Sequence, residues 1–351
     1  MKPVAIGTTQ LSEHRKNSKR EIPGFEDYLK SRNIPYERID CYRYDLVKQL
    51  DKYSALIWWY ENYAIADLLE GQNILDIAAQ KGLKVFPDHR TGWHFDDKIA
   101  EMYALQSVDA PIPESWVFYR KDECIDWLRN MAKYPLVAKL RCGSGSNNVK
   151  LLKNPATAVK YAKRMFTRGY QPAPSLIYKT FSKVQSTRDW QTFVKRLKRV
   201  PDFLWTRRFA KQMPIEKGYC YFQEFVPNDS FDVKVAVVGD KLSYFARKTR
   251  KGDFRASGGG DFYYDSSIMS EQVIRSAFSA ADRLGLQCIG FDYVVDSRSG
   301  VGKIIEMCHG FDHEAIYHAN GFYDRNCVWH PDEPLNPAVE VINNLLENDL
   351  P

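Results

Sequence analysis

The chain has 351 residues, of which 44% are hydrophobic and 27% are charged. This composition is that of a globular protein with a sizeable core, and it excludes a disordered chain. No apolar run approaches the roughly 18 residues of a membrane-spanning helix, and the N-terminal stretch is too polar for a signal peptide. The seven cysteines include no CxxC pair, so we expect a cytoplasmic protein with reduced thiols.

The first predicted elements form a small parallel α/β domain. Runs that read as strands alternate with helical patterns, at residues 3–8 (strand), 24–32 (helix), 36–39 and 55–59 (strands), 65–81 (helix) and 83–87 (strand). Strands that alternate with helices favour a parallel sheet. We therefore expect an N-terminal α/β domain over residues 1–95.

The next stretch places a lysine beside a glycine-rich loop. Its predicted elements are helices at residues 96–106, 122–131 and 155–166, and strands at residues 116–119, 136–140 and 149–152. Lys139 lies on one predicted strand, and residues 143–146 (GSGS) lie in the turn to the next strand. A lysine beside the backbone N–H groups of a flexible loop is typical of phosphate binding.

A basic segment follows. The whole chain has a formal net charge of +6, but residues 170–217 alone contain 11 Lys/Arg against 3 Asp/Glu, so the rest of the chain is slightly acidic. A helix is predicted up to about residue 200, with Lys195, Arg196, Lys198 and Arg199 opposite its apolar face. This helix either packs on its own domain or forms a docking surface for an anionic substrate or for membrane headgroups.

Two acidic residues occur in separate strand-like runs near the end of the chain. Asp292 lies in IGFDYVVD, and Glu306 lies in IIEMC. If the two runs pair as neighbouring strands, both carboxylates can point into one site. Close carboxylates repel each other unless a cation separates them, and Mg²⁺ carrying substrate phosphates is a common solution. Together with the lysine and the loop, this pair indicates a nucleoside triphosphate site.

Three histidines follow at positions 309, 313 and 318. Their spacing is compatible with zinc, although Gly310 disfavours a continuous helix there. The other two interpretations are a substrate-facing loop with His309 as an acid/base group, and purely structural histidines.

In their order along the chain, these motifs resemble the ATP-grasp superfamily, and most closely the RimK-type carboxylate–amine ligases. The resemblance spans residues 96–310 and rests on DDKIAEMYALQSVDAPIPESW, YPLVAKLRCGSGSNNVKLL, YFQEFVPNDSFDVKVAVVGDKL, RKTRKGDFRASGGG, GFDYVVD and IIEM. It implies an α/β (α+β) protein in which the N-terminal domain precedes an ATP-grasp fold. Residues 96–222 would form the first half with its lid, including a basic insertion at about 170–217, and residues 223–351 would form the half with the metal site.

The resemblance also implies which residues hold the phosphates. Lys98 and Lys139 would bind the α- and β-phosphates, as flexible point charges. The loop of Gly143, Ser144, Gly145 and Ser146 would close over them. For Lys98 alone, the alternative is a solvated helix residue.

For the rest of the nucleotide, the resemblance implies a hinge at Gln223, Glu224, Phe225 and Val226. The backbone of Glu224 and Val226 would contact adenine. Asp232 would accept a hydrogen bond from the ribose.

Two arginines, Arg247 and Arg255, would face the γ-phosphate or an acyl phosphate, because the guanidinium fork matches such anions. A surface salt bridge is the alternative for either arginine.

Asp292 and Glu306 would bind Mg²⁺ or Mn²⁺, with Cys308 as a third candidate ligand. The family usually has asparagine where this chain has Cys308, and a thiol is a poor ligand for hard Mg²⁺. Either a water or His309 completes the metal's coordination, or one of two metal sites is weakened.

The implied activity is ATP-dependent ligation of a carboxylate to an amine through an acyl phosphate, with release of ADP and phosphate. The basic segment favours an anionic acceptor, which could be a small molecule, an acidic glycan, a peptide or a lipid-linked precursor. Nucleic acid is not expected, whereas peripheral membrane contact and a homo-oligomer are compatible with the sequence. The alternatives are a kinase-like phosphotransferase and a nucleotide-binding regulator with impaired catalysis, which Cys308 favours.

Overall fold

A computed structural model describes residues 2–8, 24–60, 62, 64–143, 148–172, 212–228, 231–248, 262–265 and 268–346. The predictions for Ser144, Gly145, Ser146 and Arg255 lie outside the described residues. So does the predicted basic helix that ends near residue 200.

The N-terminal sheet has four parallel strands in the order β2-β1-β3-β4. Its elements are β1 (Val4–Thr8), α1 (Phe25–Ser31), β2 (Tyr36–Asp40), α2 (Leu46–Gln49), β3 (Ala55–Ile57), α3 (Ile65–Gln80), β4 (Lys84–Phe86) and α4 (His89–Gly92). The predicted parallel α/β arrangement is thereby confirmed. The boundary of this domain at residue 95 stays a prediction.

A second sheet has four antiparallel strands in the order β5-β8-β6-β7. Its elements are α5 (Lys98–Ser107), β5 (Ser115–Phe118), α6 (Lys121–Asn130), β6 (Leu136–Lys139), β7 (Val149–Leu152), α7 (Pro155–Met165) and β8 (Cys220–Glu224). The predicted hairpin is present, because β6 pairs with β7 directly across the glycine-rich loop. Lys139 therefore ends its strand where the loop begins.

The third sheet has seven strands in the order β13-β12-β9-β10-β14-β15, with β11 also paired to β10. Its elements are β9 (Phe231–Val238), β10 (Lys241–Lys248), β11 (Phe262–Tyr263), α8 (Glu271–Leu284), β12 (Cys288–Val295), β13 (Gly302–Cys308), α9 (His313–Tyr317), β14 (Gly321–Tyr323), β15 (Trp329–Pro331) and α10 (Pro337–Leu346). Helix α8 begins at a Ser270 cap and ends at Gly285, whose φ of 68° suits glycine. Its apolar face, which includes Val273 and Phe278, covers one side of the sheet.

The first and third sheets share one hydrophobic core. Ile6 and Phe86 of the parallel sheet pack in the same cluster as Val238 and Phe245 of the large sheet, together with Ile342 of α10. The N-terminal sheet is thus fixed against the sheet that carries Asp292 and Glu306.

Among the described residues, no helix combines the length and the apolar character that crossing a bilayer requires. All seven cysteines lie within the described ranges and are free thiols. Five of them are buried.

Candidate active site

Asp292 and Glu306 face each other across a pair of antiparallel strands. They are direct partners in the β12–β13 ladder, a position where opposed Cβ atoms are about 4.5–5.5 Å apart. The register then shifts, so that Tyr293 pairs with Ile304 and Ile305 forms a β-bulge. The sequence-based expectation of neighbouring strands with opposed carboxylates is confirmed.

Lys98 reaches this pair from the start of helix α5. Asp97 caps the helix by accepting hydrogen bonds from the N–H groups of Ile99 and Ala100, at 3.1 Å each. The Lys98 side chain is 4% exposed, so it is not a solvated helix residue. Its Nζ donates to the Gly143 carbonyl oxygen at 2.7 Å and lies 3.4 Å from Glu306 Oε1. Burial alone lowers the pKa of Lys98, but Glu306 and other nearby carboxylates outweigh it and raise this pKa.

Lys139 approaches the same site from the end of β6. It is 5% exposed, and its Nζ donates to the carbonyl oxygen of Ile305 at 2.9 Å. The β-bulge therefore presents a backbone oxygen to this lysine beside Glu306. Burial, with repulsion from Lys98, lowers the pKa of Lys139 to about 8. An incoming anion would restore the full positive charge.

A charged network on β9 and β10 completes the site. Lys234 Nζ lies 2.9 Å from Asp292 Oδ1, and the Arg247 guanidinium lies 3.1 Å from the same oxygen. Burial alone raises the pKa of Asp292, but Lys234 and Arg247 outweigh it and lower this pKa. The Lys234 side chain packs over Gly290, where a Cβ would lie only 3.1 Å from the Lys234 Cδ. Three buried lysines and one partly buried arginine thus converge on the carboxylate pair; this cation cluster consists of Lys98, Lys139, Lys234 and Arg247.

Asp232 is fully buried, and its carboxylate accepts hydrogen bonds from Arg247. Burial raises the pKa of Asp232 to about 7, against the opposing effect of Arg247. This position favours a role in holding Arg247 in place. Both hydrogen bonds go to Oδ2, whereas Oδ1 is buried with no hydrogen-bond partner among the described residues. The contact with a ribose hydroxyl that the resemblance implied therefore stays a prediction.

Two further carboxyl groups support the start of the glycine-rich loop and Lys98. Asp96 accepts a hydrogen bond from the Gly143 N–H at 2.9 Å, and burial raises the pKa of Asp96 to about 6. Glu101 is 3% exposed and accepts a hydrogen bond from the Met307 N–H at 3.1 Å. Burial raises the pKa of Glu101 to about 8, although Lys98 opposes this. These contacts fix helix α5 to the start of the loop and to β13.

The predicted hinge lies at the end of β8. Gln223 is buried and donates to Ser115 Oγ at 3.1 Å, while the Glu224 N–H donates to the Glu114 carbonyl at 2.8 Å. Because that N–H is used within the sheet, the prediction that the Glu224 backbone contacts adenine can involve only its carbonyl oxygen. The Glu224 carboxylate pairs with Lys303 Nζ at 3.0 Å.

Beyond Glu224, the chain enters a small apolar patch. Phe225 is half-buried, and Val226 packs with Val294 and Ile305. The patch lies next to the bulge that Lys139 contacts, so an apolar surface adjoins the cation cluster.

Cys308 lies on the same strand as Glu306, but it is not assembled as a third ligand. No group of three or more His, Cys, Asp or Glu residues in the described ranges has the arrangement of a metal site. The Cys308 Sγ accepts a hydrogen bond from the Gly310 N–H at 3.1 Å, and burial raises the pKa of this thiol. A protonated thiol is a poor ligand for a hard cation, so this arrangement does not favour Cys308 as a metal ligand, and its assignment stays a prediction.

His309 is buried rather than exposed to substrate. Its ring is packed by aromatic rings, with centroids 4.5 Å from Phe95, 5.1 Å from Tyr60 and 6.0 Å from Trp59. Burial lowers the pKa of His309 to about 3, so the imidazole is neutral at physiological pH. This position does not favour the predicted acid/base role, which stays untested, because the loop after β13 packs into the aromatic core beside the N-terminal sheet. His313 also packs there, at 4.6 Å from Trp59.

Sequence reasoning missed Lys234, Glu101 and Asp96. A signal existed for Lys234, because it interrupts the apolar run of β9 two residues after Asp232. Such a lysine, buried between valines, needs a buried counter-charge. Glu101 gave no comparable signal, since a glutamate in a first helical turn is usually a solvated residue.

Solved structures resemble this architecture over nearly its whole length. A RimK-domain ATP-grasp protein from Sphaerobacter thermophilus aligns with a TM-score of 0.55 and 14% identity, covering 98% of this chain and 99% of that one. D-alanine–D-alanine ligase from Bacillus anthracis, complexed with ATP, aligns with a TM-score of 0.54 and 10% identity, covering 99% and 98%. The biotin carboxylase domain of Hydrogenobacter thermophilus 2-oxoglutarate carboxylase, in complex with MgADP, has a TM-score of 0.58 and 11% identity, covering 98% and 69%.

The chain has the ATP-grasp fold. Protein-family models and curated proteins were also compared with the sequence, and none matched. The ATP-grasp architecture implied by the sequence motifs is confirmed at the level of the fold. In this ATP-grasp fold, the second and third sheets carry the cation cluster between them, because Lys139 lies on β6 while Lys234 and Arg247 lie on β9 and β10.

Proposed function

We propose that this protein is an ATP-dependent carboxylate–amine ligase that forms an acyl phosphate and releases ADP and phosphate. The observation that carries the proposal is the opposed pair of Asp292 and Glu306, enclosed by the cation cluster. A buried site with this much positive charge suits a polyanion, and the two carboxylates suit a divalent cation bound to it.

The donor set fits a magnesium nucleotide. Asp292 and Glu306 supply hard carboxylate oxygens, and Lys98 and Lys139 supply two ammonium groups within reach of bound phosphates. Mg²⁺, when bound, neutralises charge on the phosphate oxygens. Lys98 and Lys139 hold the α- and β-phosphates, as the resemblance implies, and Gly143 stands at the start of the loop over them.

Arg247 and Lys234 are the cations that β9 and β10 contribute to the cluster, and they would face the γ-phosphate and the developing acyl phosphate. Both lie against Asp292, so the two side chains are already oriented when substrate arrives. Asp232 holds the Arg247 fork from the other side. Such pre-oriented cations stabilise charge without reorganisation during the reaction.

The apolar patch beside Glu224 is the proposed adenine pocket. Val226, Val294 and Ile305 provide an apolar floor. Lys303 holds the Glu224 side chain at the rim. Adenine has apolar faces and polar edges, so its pocket requires an apolar floor together with polar groups at the rim.

The experiment that tests the proposal is an ADP-release screen over pools of carboxylates and amines, with mass spectrometry of the products. We expect ADP to form together with an amide product when the correct pair is supplied, and we expect anionic acceptors among the hits. ADP released with a phosphorylated acceptor and no amide would instead identify a phosphotransferase.

A second candidate, a nucleotide-binding regulator, is favoured by Cys308. Burial raises the pKa of its thiol, and its Sγ accepts a hydrogen bond from the Gly310 N–H, so this position offers no hard ligand to a metal. Tight ATP binding without ADP formation, for every acceptor supplied, would support the regulator and contradict the ligase.

A further inference from the structure

Helix α7 has one buried face and one cationic face. Ala158, Tyr161, Ala162 and Met165 are buried against the second sheet. Lys160, Lys163 and Arg164 are exposed on the opposite side. The helix therefore presents a stripe of positive charge to the surroundings.

Neighbouring elements extend this stripe into a continuous basic area. No acidic residue occurs in residues 148–172. Glu216, the acidic residue nearest in sequence on the returning strand, is 4% exposed and is hydrogen-bonded by the Tyr219 hydroxyl. Within the described part of the chain, none of the basic residues here lies within ion-pair distance of a carboxylate. We call them the α7 cationic surface: Lys150, Lys153, Lys160, Lys163, Arg164, Arg168 and Lys217, all exposed.

The ring of Tyr170 brings two of these cations together. Lys150 Nζ lies 3.8 Å from the ring centroid, and the Arg164 guanidinium carbon lies 4.1 Å from it. Arg164 is further fixed by donating to the Gly169 carbonyl at 3.0 Å. Burial and the nearby Arg164 lower the pKa of Lys150. Two cations held on one ring without a carboxylate repel each other, and a bound anion would relieve that repulsion.

The two described ends of the basic insertion, residues 170–172 and 212–217, lie next to each other at this surface. Tyr170 and Glu216 exchange backbone hydrogen bonds at 3.0 Å each, and Gln171 Nε2 donates to the Met213 carbonyl at 2.8 Å. The sequence between these anchors, residues 173–211, contains 10 Lys/Arg, 2 Asp/Glu and 7 aromatic residues. Ile215, which borders Gly169 at the same root, is 52% exposed.

We propose that the α7 cationic surface binds anionic lipid headgroups at a membrane surface. Its uncompensated cations match the negative potential of such a surface. The exposed Ile215 beside these cations suits the boundary between headgroups and acyl chains. A nucleic-acid-binding surface would also need the positive charge, but the exposed Ile215 would have no role in it. The assigned surface consists of the described cations alone, and it does not depend on the ligase activity.

The test is co-sedimentation of the full-length protein with phosphatidylcholine vesicles that contain or lack phosphatidylglycerol. We expect binding only to the anionic vesicles at about 0.1 M salt, and loss of binding at about 1 M salt, where the Debye length falls from about 10 Å to about 3 Å. Equal binding to both vesicle types would overturn the proposal, as would binding to single-stranded RNA without binding to vesicles.

A triple variant locates the interaction. Lys160→Gln, Lys163→Gln and Arg168→Gln together should weaken vesicle binding about a hundredfold, since each basic residue near an anionic membrane contributes about 1 kcal/mol. The matched control is Arg32→Gln, Lys48→Gln and Lys52→Gln, which removes the same charge from exposed positions of the N-terminal domain. The control should bind as the wild type does.

Equal losses in the two triple variants would overturn the assignment to α7. Lys139→Ala, which changes the proposed nucleotide site and leaves this surface intact, should bind vesicles normally, so failure of the ligase proposal can be told apart from failure of this one.

Discussion

Strand β13 and the residues just after it contribute to two polar regions that differ in the ionisation of their side chains. At Glu306, carboxylates and cations meet at close range, and the pKa of Asp292 is lowered although burial alone would raise it. Three residues later, His309 lies among aromatic rings, and burial lowers its pKa to about 3. His94, also buried, has a pKa lowered to about 4. Comparison of the two regions teaches that neighbouring charge, rather than burial itself, decides which groups remain ionised here.

The largest expected effect is loss of the charged pair. Asp292→Asn or Glu306→Gln should reduce turnover at least about a hundredfold, because each removes a carboxylate that faces the bound phosphates and their cation. The measurement is ADP release as a function of Mg²⁺ concentration. Glu314→Gln, at an exposed position on α9, is the matched control and should keep normal turnover. Wild-type turnover in both site variants would remove the metal assignment.

A second change tests the cation cluster without touching the carboxylates. Lys139→Ala should weaken ATP binding about 10- to 150-fold, since a hydrogen bond to a charged group contributes about 1.5–3 kcal/mol. Calorimetric titration measures this, and circular dichroism checks that the fold is retained. An unchanged affinity for ATP would place Lys139 outside the nucleotide site.

The neutral region makes a prediction about acid stability. The folded pKa of His309 lies below the value of about 6.5 in an unfolded chain. Above pH 6.5 this histidine does not change the free energy of unfolding with pH, because it is neutral in both the folded and the unfolded state. Below it the unfolded state binds the proton first, so stability falls by up to about 1.4 kcal/mol per pH unit until about pH 3.

Urea denaturation of the wild type and of His309→Leu at several pH values isolates this contribution. Buried carboxyls with raised pKa values, such as Asp96 at about 6, act in the opposite direction but are common to both proteins. The variant should therefore lose less stability between pH 6.5 and pH 4.5. His318→Gln, which removes an exposed imidazole, serves as the control. Parallel curves for His309→Leu and the wild type would show that His309 is not held neutral by its surroundings.

The smallest expected effect is at Cys308, which stands between the two regions. Cys308→Asn should be tolerated, and Mg²⁺ should then support turnover at a similar or lower concentration, because an amide oxygen is a harder ligand than a thiol. The readout is the Mg²⁺ dependence of ADP release. Complete loss of activity would show that the thiol has a chemical role of its own.

The sequence was informative where a local pattern determines the structure. Alternating strands and helices identified the parallel sheet, and the predicted bounds lie close to those observed, for example 65–81 against Ile65–Gln80. Asp292 and Glu306 could be paired because their strand-like runs are separated by only a short connection.

Where packing between distant segments decides the outcome, local sequence patterns carry too little information. His309 is neutral because β13 runs on into the aromatic core beside Trp59 and Tyr60, about 250 positions earlier in the chain. Glu101 lies at the candidate site only because its helix packs against β13, where the Met307 N–H donates a hydrogen bond to its carboxylate. Neither contact is visible in a local pattern of residue types.

The central claim is that the opposed carboxylates and the cation cluster form a site for a magnesium nucleotide. Calorimetric titration with a non-hydrolysable ATP analogue, with and without Mg²⁺, tests it most directly. We predict tight binding that depends on Mg²⁺, loss of that dependence in Asp292→Asn, and normal binding in His309→Leu. Equally tight binding without a divalent cation, or a Mg²⁺ dependence that survives in Asp292→Asn, would contradict the claim.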